Sequence, residues 1–308
     1  MKKNIFIHTI LAAVIAVLFF SCTPNARPFE MLVGIAPASD LDVFNLPALN
    51  CAITQDTNTV QWYIGDDFSI ATDSTNIIMM NGNQIYMQNI ATGSNHLVNI
   101  DGGQLYYGCF ISGSNIMTTG RVDQSCYPVL LRQKDVYSNI TIEQSIDWRR
   151  FYGFQVKHII MNTADNTFWF VRQHKPIQTD SIYPESETPM EYEMIRKYTF
   201  AFSNANQYGP VQIVSMRVPG GSCSGIALLN GNLYCLFRTP RKDGDRIQWQ
   251  ETQARTIFVI DAATLEYKGK LNKTIGSAQG LTTDGTKLYT LGDTNQNTGQ
   301  RKIITIVP

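Results

Sequence analysis

The sequence predicts an all-β protein, and three observations support this class. No segment after residue 30 keeps a 3.6-residue hydrophobic period over three turns, as an amphipathic helix would. Short apolar runs are separated instead by turns that contain Asn-Gly or Asp-Gly, the dipeptides that favour tight β-hairpins. The hairpins also recur, because residues 225–234 and 280–289 both place a glycine nine positions before a tyrosine.

Two more hairpins extend this recurrence. Residues 77–86 repeat the frame without the leading glycine, and residues 158–169 form a longer variant. Hairpins at such spacings are typical of a β-propeller, in which four-stranded blades surround a central channel. A β-sandwich or jelly roll is the competing architecture. With weaker units near residue 120 and in 31–65, we expect a single propeller of six four-stranded blades, with five or seven as the alternatives.

The last predicted unit, residues 278–307, is too short for a whole blade. An unpaired strand edge there needs a partner from elsewhere in the chain. We therefore expect an N-terminal strand, residues 30–35, to close the last blade and the ring.

Composition excludes several classes of function. The chain has 308 residues, with 25 Lys+Arg against 25 Asp+Glu, and 44% of its residues are hydrophobic. A balanced charge without a basic cluster argues against nucleic acid as a partner. The apolar content excludes a disordered chain, and a chain of this length buries enough surface to need no disulfide or metal.

The first 22 residues indicate export. Lys2 and Lys3 precede an apolar run over residues 5–20, a pattern typical of a signal peptide. The following Phe19-Phe20-Ser21-Cys22 resembles the lipobox of bacterial lipoproteins, with phenylalanine where that pattern prefers leucine. The resemblance implies cleavage before Cys22, a diacylglycerol thioether on its sulfur and an N-terminal acyl chain such as palmitate. Such chains would hold the protein on a membrane of the cell envelope, and we expect the outer membrane, in either leaflet.

The lipobox and the hairpins together resemble the propeller-type lipoproteins of anaerobic Gram-negative bacteria. This resemblance predicts a signal peptide at 1–21, a lipidated cysteine with a tether at 22–29 and a propeller domain at 30–308. Residues 178–193 contain four glutamates and two prolines, which indicate an exposed insertion within one blade.

Five cysteines remain after Cys22, so at least one of them is unpaired. Cys109 with Cys126, or Cys223 with Cys235, are close enough in sequence to form local disulfides in an oxidising compartment. The alternative is that these cysteines, together with Cys51, are buried apolar side chains. Their spacing matches no zinc motif, so we expect no metal.

Ligand-binding residues are expected where loops meet the central channel, before the first strand of a blade or after its second. Cations and amides there suit a glycan or an anion, and an indole ring can pack on the apolar face of a sugar. The candidates are Arg172, Arg238, Asp293, His158, Gln279, Ser224, Trp148 and Arg149.

Catalytic motifs are weak, and we expect neither catalytic residues nor a cofactor. Residues 221–225 imitate a nucleophile elbow around Cys223, but a hairpin follows instead of a helix. Residues 293–299 depart from the calcium-loop pattern. The sequence therefore favours a non-catalytic binding module for a polar ligand, glycan or anion, or an accessory subunit with a protein partner in the envelope. The alternatives are a glycoside hydrolase or lyase that uses carboxylates from different blades, and a structural scaffold.

Overall fold

The computed structural model describes residues 44–60, 70–81, 84–99, 105–112, 115–122, 125–133, 140–145, 155–162, 167–174, 192–199, 210–216, 223–239, 241–243, 246–248, 254–264, 266–295 and 298–308. This part of the chain contains strands and turns but no helix, and it therefore holds no helix that could span a membrane.

Most of the strands belong to five antiparallel sheets, which we number along the chain. Two strands precede them, β1 (Ala48–Leu49) and β2 (Ala52–Val60). Sheet 1 consists of β3 (Ile70–Thr72), β4 (Asn76–Asn81), β5 (Gln84–Asn89) and β6 (Asn95–Asn99). Sheet 2 consists of β7 (Leu105–Ser112), β8 (Asn115–Val122), β9 (Ser125–Gln133) and β10 (Ile140–Ser145). Sheet 3 consists of β11 (Gln155–Asn162), β12 (Thr167–His174), β13 (Tyr192–Thr199) and β14 (Pro210–Met216).

Sheets 4 and 5 complete the set. Sheet 4 contains β15 (Cys223–Leu229), β16 (Asn232–Arg238), β19 (Arg255–Asp261) and β20 (Tyr267–Leu271). A separate small hairpin of β17 (Arg241–Asp243) and β18 (Arg246–Gln248) lies between β16 and β19 in the chain. Sheet 5 contains β21 (Gln279–Thr283), β22 (Leu288–Thr294) and β23 (Arg301–Val307), with β2 as its fourth strand.

The five sheets form a closed ring. Each first strand contacts the first strand of the next sheet, in the order β3, β7, β11, β15 and β21, and β21 contacts β3 again. This arrangement is a β-propeller, as the sequence predicted. The recurring glycines lie where first strands approach most closely: a Cβ at Gly225 would collide with the backbone of Leu281, and one at Gly280 would lie 2.8 Å from Cγ1 of Ile70.

The described residues contain five blades rather than the expected six. The unit expected in residues 31–65 is not a separate blade there, because β1 joins sheet 4 and β2 joins sheet 5. The last blade is closed by an N-terminal strand, as predicted, but that strand is β2, in which Ala52 pairs with Val307. Residues 30–35, to which we had assigned this role, lie outside the described residues.

The N-terminal segment also holds the outer edge of sheet 4. β1 runs parallel to β20, and the N–H groups of Lys270 and Asn272 donate to the carbonyls of Pro47 and Leu49 at 2.9 and 2.8 Å. One continuous segment, residues 44–60, therefore covers the edges of two neighbouring blades.

Apolar side chains fill the spaces between blades. Ile160 and Trp169 of sheet 3 pack with Phe237 and Phe258 of sheet 4, and two similar clusters join sheet 4 to sheet 5 and sheet 5 to sheet 1. Burying each such side chain contributes about 1.5–3 kcal/mol. Sheets 4 and 5 therefore each bury apolar side chains against both of their neighbours.

The insertion expected near residues 178–193 lies almost entirely outside the described residues, between the end of β12 and the start of β13. Cys223 and Cys235 are buried and form no disulfide, so the alternative of buried apolar side chains applies to them. Cys51 is half-buried and likewise forms none. The side chains of Cys109 and Cys126 lie outside the description.

Candidate functional site

The first strands begin together at one end of the ring, which we call the upper face. His158 near the start of β11 contacts Cys223 at the start of β15, and Gly280 near the start of β21 lies against Ile70 at the start of β3. Because successive strands of a sheet alternate in direction, second strands end and third strands begin at this same face. The opposite end, the lower face, carries the tight turns between first and second strands.

Among the described residues, five arginines lie at strand ends of the five sheets at the upper face, in four successive sheets. Each is within the last three residues of a second strand or is the first residue of a third strand. They are Arg121, Arg172 and Arg238 in β8, β12 and β16, and Arg255 and Arg301 at the starts of β19 and β23. The same topology places Glu193 and Asp293 at this face. Arginine therefore outnumbers carboxylate at these strand ends.

The β17–β18 hairpin adds further cations. It leaves sheet 4 after Arg238 and returns before Arg255, so it stands at the upper face. Its residues include Arg241, Lys242 and Arg246 together with Asp243.

Buried polar groups at this face include two of the arginines, Arg255 and Arg301, which are 6% and 4% exposed. The side chain of His158 is only 4% exposed, and its Nε2 lies 2.9 Å from the carbonyl oxygen of Cys223. Nε2 must donate in this bond, because a carbonyl oxygen only accepts. In sheet 4, the Nε of Arg255 donates to Oγ of Ser224 at 3.3 Å, which ties the third strand to the first.

The structure brings some of the candidate residues together and leaves others apart. Ser224, His158 and Gln279 are all buried in the first strands, whereas Arg238 is half-buried at the end of β16. Arg172 and Asp293 occupy the ends of second strands at the upper face. Trp148 and Arg149 lie outside the described residues. That these side chains bind a ligand stays a prediction.

Of the five arginines at these strand ends, three were missed from the sequence, namely Arg121, Arg255 and Arg301. The candidate positions predicted from the sequence were the approach to first strands and the residues after second strands. The first residue of a third strand occupies the same face, so Arg255 and Arg301 would have been found by including that position.

No family model and no curated protein matches the chain. The solved structures that resemble it include the following three. Glutaminyl cyclase from Myxococcus xanthus matches 85% of this chain and 99% of its own, with 10% identity and a TM-score of 0.48. PQQ-bound aldose sugar dehydrogenase from Streptomyces coelicolor matches the same shares, with 11% identity and a TM-score of 0.47. The β-propeller domain of Cps50 (Swd1) from Myceliophteria thermophila matches 76% of this chain and 82% of its own, with 10% identity and a TM-score of 0.39.

Groups with nucleophilic potential are embedded in the blade core. Cys223 is 1% exposed and belongs to a strand that leads into a hairpin, so residues 221–225 lack the helix that a nucleophile elbow requires. Burial raises the pKa of Tyr267 well above its usual range, and the nearby Cys235 and Cys223 raise it further. Among the described residues, no three His, Cys, Asp or Glu side chains are grouped to hold a metal ion.

Proposed function

We propose that this chain is a non-catalytic binding module that binds a polar, anionic ligand, such as an acidic glycan, at its upper face. The observation that carries the proposal is the placement of Arg121, Arg172 and Arg238 near the second-strand ends of three successive blades at one end of the ring. Arg255 and Arg301, at the third-strand starts of this face, are buried at 6% and 4% exposure. A guanidinium donates two parallel hydrogen bonds to a carboxylate, sulfate or phosphate. Cations held on different strands of a rigid ring can contact several such groups along one ligand.

The buried polar groups support this role by fixing the strands that carry the arginines. The hydrogen bond from Arg255 to Ser224 orients the start of β19, and that strand pairs with Arg238. A binding group on a packed strand loses less conformational freedom when it contacts a ligand than one on a loose loop. Arg238, which is half-buried, is therefore the described arginine best placed to contact a ligand.

We also propose that the ring is held on the outer membrane through a lipid on Cys22, after removal of residues 1–21. Cys22→Ala should move the chain from the membrane fraction to the soluble fraction, because the acyl chains provide the anchor. Cys51→Ala is the matched control and should leave the chain on the membrane. Equal partitioning of the two variants would contradict the anchor.

A thermal-shift comparison of acidic and neutral sugars tests the binding proposal. The purified chain in detergent is heated with glucuronate, oligogalacturonate or glucose 6-phosphate, and with glucose or galactose as neutral counterparts. A ligand at a hundredfold excess over its dissociation constant stabilises the native state by about 2.7 kcal/mol, so the unfolding midpoint should rise. The proposal requires a larger rise with at least one acid than with its neutral counterpart. Equal midpoints for every pair would contradict it.

Product analysis after incubation separates a binder from an enzyme. The acid with the largest shift is incubated with the chain, and the mixture is examined by mass spectrometry. We expect the sugar to be recovered intact. Chain-dependent cleavage of oligogalacturonate would contradict the non-catalytic assignment and favour a hydrolase or lyase.

A further inference from the structure

A cavity of about 500 Å³ lies between sheets 4 and 5, at the end of the ring where β23 begins. Its walls come from β2, from β23, from the loop after β20 and from the turn before β23. Apolar surface is supplied by Ile53, Ile275 and Ile304, and polar groups by Gln55, Thr59, Thr274, Asn295, Gln300 and Lys302, with Gly276 at the rim. None of the five arginines of the upper face lines it.

The space arises from an irregular pairing of β2. The register passes from Gln55 opposite Ile304 to Thr59 opposite Lys302, so β2 has three intervening residues where β23 has one. Such a bulge bends the strand away from its partner. The cavity is thus a product of the strand that closes the ring.

Two of the walls are fixed by backbone hydrogen bonds. Ile275 and Arg255 exchange N–H to carbonyl bonds of 2.9 and 2.6 Å, which hold the loop after β20 against sheet 4. In the turn before β23, the N–H of Asn295 donates to the carbonyl of Gln300 at 2.7 Å, and that of Gly299 donates to the carbonyl of Asn295 at 2.8 Å. The cavity is therefore formed before any ligand arrives.

The lining matches a molecule with many hydroxyl groups. Amide and hydroxyl side chains both donate and accept hydrogen bonds, as sugar hydroxyls do. Hydrogen bonds among the described residues use none of the side-chain polar atoms of Gln55, Thr59, Thr274, Gln300 or Lys302. The isoleucines can contact the C–H groups of a sugar ring. A cavity of this volume, with apolar walls and a few polar groups, is typical of small-molecule sites.

We propose that this cavity is a second binding site, for a neutral saccharide unit. The lining residues include one cation, Lys302, and no carboxylate, histidine or thiol. A neutral, hydroxylated ligand therefore fits the site better than a strongly charged one. The cavity is lined by none of the upper-face arginines, although Gln300 and Lys302 flank Arg301 in the chain and Ile275 is hydrogen-bonded to Arg255. The two proposals are therefore tested with different ligands and different variants.

The test measures binding of maltose, cellobiose and lactose to the full purified chain by saturation-transfer NMR and calorimetric titration. Two changes to the wall are compared with a control: Gln300→Ala combined with Lys302→Ala, Thr274→Trp to fill the space, and Lys273→Ala as the control. Lys273 is exposed on the same loop as Thr274 but does not line the cavity. The altered side chains are exposed or half-buried, and an unchanged thermal midpoint verifies that each variant is folded.

We expect at least one disaccharide to bind, with a dissociation constant raised about fivefold or more in the double variant through lost hydrogen bonds. Thr274→Trp should abolish binding, while Lys273→Ala and an Arg172→Ala/Arg238→Ala variant should bind as the unmodified chain does. The proposal is overturned if none of the disaccharides binds at a ligand concentration of about 10 mM, which is high enough to reveal a weak single-site complex. It is equally overturned if both wall variants bind the disaccharides normally. It is also overturned if inorganic phosphate binds in a way that requires Lys302 while no neutral sugar does.

Discussion

The Nε2 atom of His158 lies 2.9 Å from the carbonyl oxygen of Cys223 and joins the first strands of two neighbouring blades. The two residues are 65 positions apart in the chain, and both are at most 4% exposed. A backbone carbonyl buried at a strand start needs a partner, since leaving it without one costs about 1–3 kcal/mol. His158 supplies that partner from the adjacent blade.

His158→Ala should therefore lower the free energy of unfolding by about 1–3 kcal/mol, because the buried bond between its Nε2 and the Cys223 carbonyl is lost. His158→Gln, which retains an N–H at similar reach, should recover part of the loss. The measurement is urea unfolding followed by tryptophan fluorescence. His96→Ala on the outer strand β6 is the control and should change stability by less than about 0.5 kcal/mol. Equal effects of the two alanine variants would refute the inter-blade role of His158.

Gly280→Ala should disrupt the packing of first strands around the channel. Gly280 has a φ of +68°, and a Cβ there would lie 2.8 Å from Cγ1 of Ile70. Gly231→Ala is a matched control, because Gly231 has a φ of +71° but no atom within 4 Å of such a Cβ. The control should cost about 1 kcal/mol from backbone strain alone. Gly280→Ala should lower the free energy of unfolding by about 1–3 kcal/mol more than the control, measured by thermal or urea unfolding, because of the collision. Similar losses of stability in the two variants would show that the ring tolerates a side chain at residue 280.

Asp284 should make stability depend on pH in the acidic range. Burial alone would raise the pKa of this carboxyl, but hydrogen bonds from the hydroxyls of Thr286 and Tyr289 and from the N–H groups of Lys287 and Thr286 outweigh it and hold the pKa at about 2. The unfolded value is near 3.9. The carboxylate therefore stabilises the fold above about pH 4, and this contribution is lost as the pH falls through about 2.

Asp284→Asn tests this dependence. The substitution should lower the free energy of unfolding by about 1 kcal/mol at pH 7, a figure reduced because solvent screens the charge at this largely exposed turn. The difference in stability between the variant and the unmodified chain should shrink as the pH falls from 4 towards 2. Tyr289→Phe should raise the pKa of Asp284 in an NMR titration, because it removes the 2.7 Å hydrogen bond from the phenol. A pKa unchanged by Tyr289→Phe would argue against the assigned cause.

Hairpins could be predicted from the sequence because the signals for them are local. In the Asp73, Asn89, Asp261 and Asp284 turns, the side-chain Oδ1 accepts backbone N–H bonds from residues two and three positions later. Such turns specify their own geometry. This is why the all-β class and the recurring units were apparent without a structure.

The blade number could not be predicted in the same way. Residues 77–86 form the hairpin of second and third strands in sheet 1, whereas residues 225–234 form that of first and second strands in sheet 4. Similar local sequences thus occupy different places in a blade. The closing pair of β2 and β23 joins the two ends of the chain, and no local pattern reveals which N-terminal strand is used.

The candidate site was predictable only in its outline. Arg172, Arg238 and Asp293 follow apolar runs, so their position at strand ends could be inferred. The burial of His158 and the contact of Arg255 with Ser224 depend on pairings between blades and across strands, which a single sequence does not show.

The most direct test of the proposed function is calorimetric titration of oligogalacturonate into the unmodified chain, the Arg172→Ala/Arg238→Ala variant and Lys287→Ala. Lys287 lies in the turn between β21 and β22 at the lower face, so its removal deletes a cation away from the arginines. Loss of charge-assisted hydrogen bonds worth about 1.5–3 kcal/mol should weaken binding about tenfold or more in the double variant. Lys287→Ala should bind as the unmodified chain does, and added salt should weaken all binding. Undiminished affinity in the double variant, or an equal loss in Lys287→Ala, would contradict an anion site at the upper face.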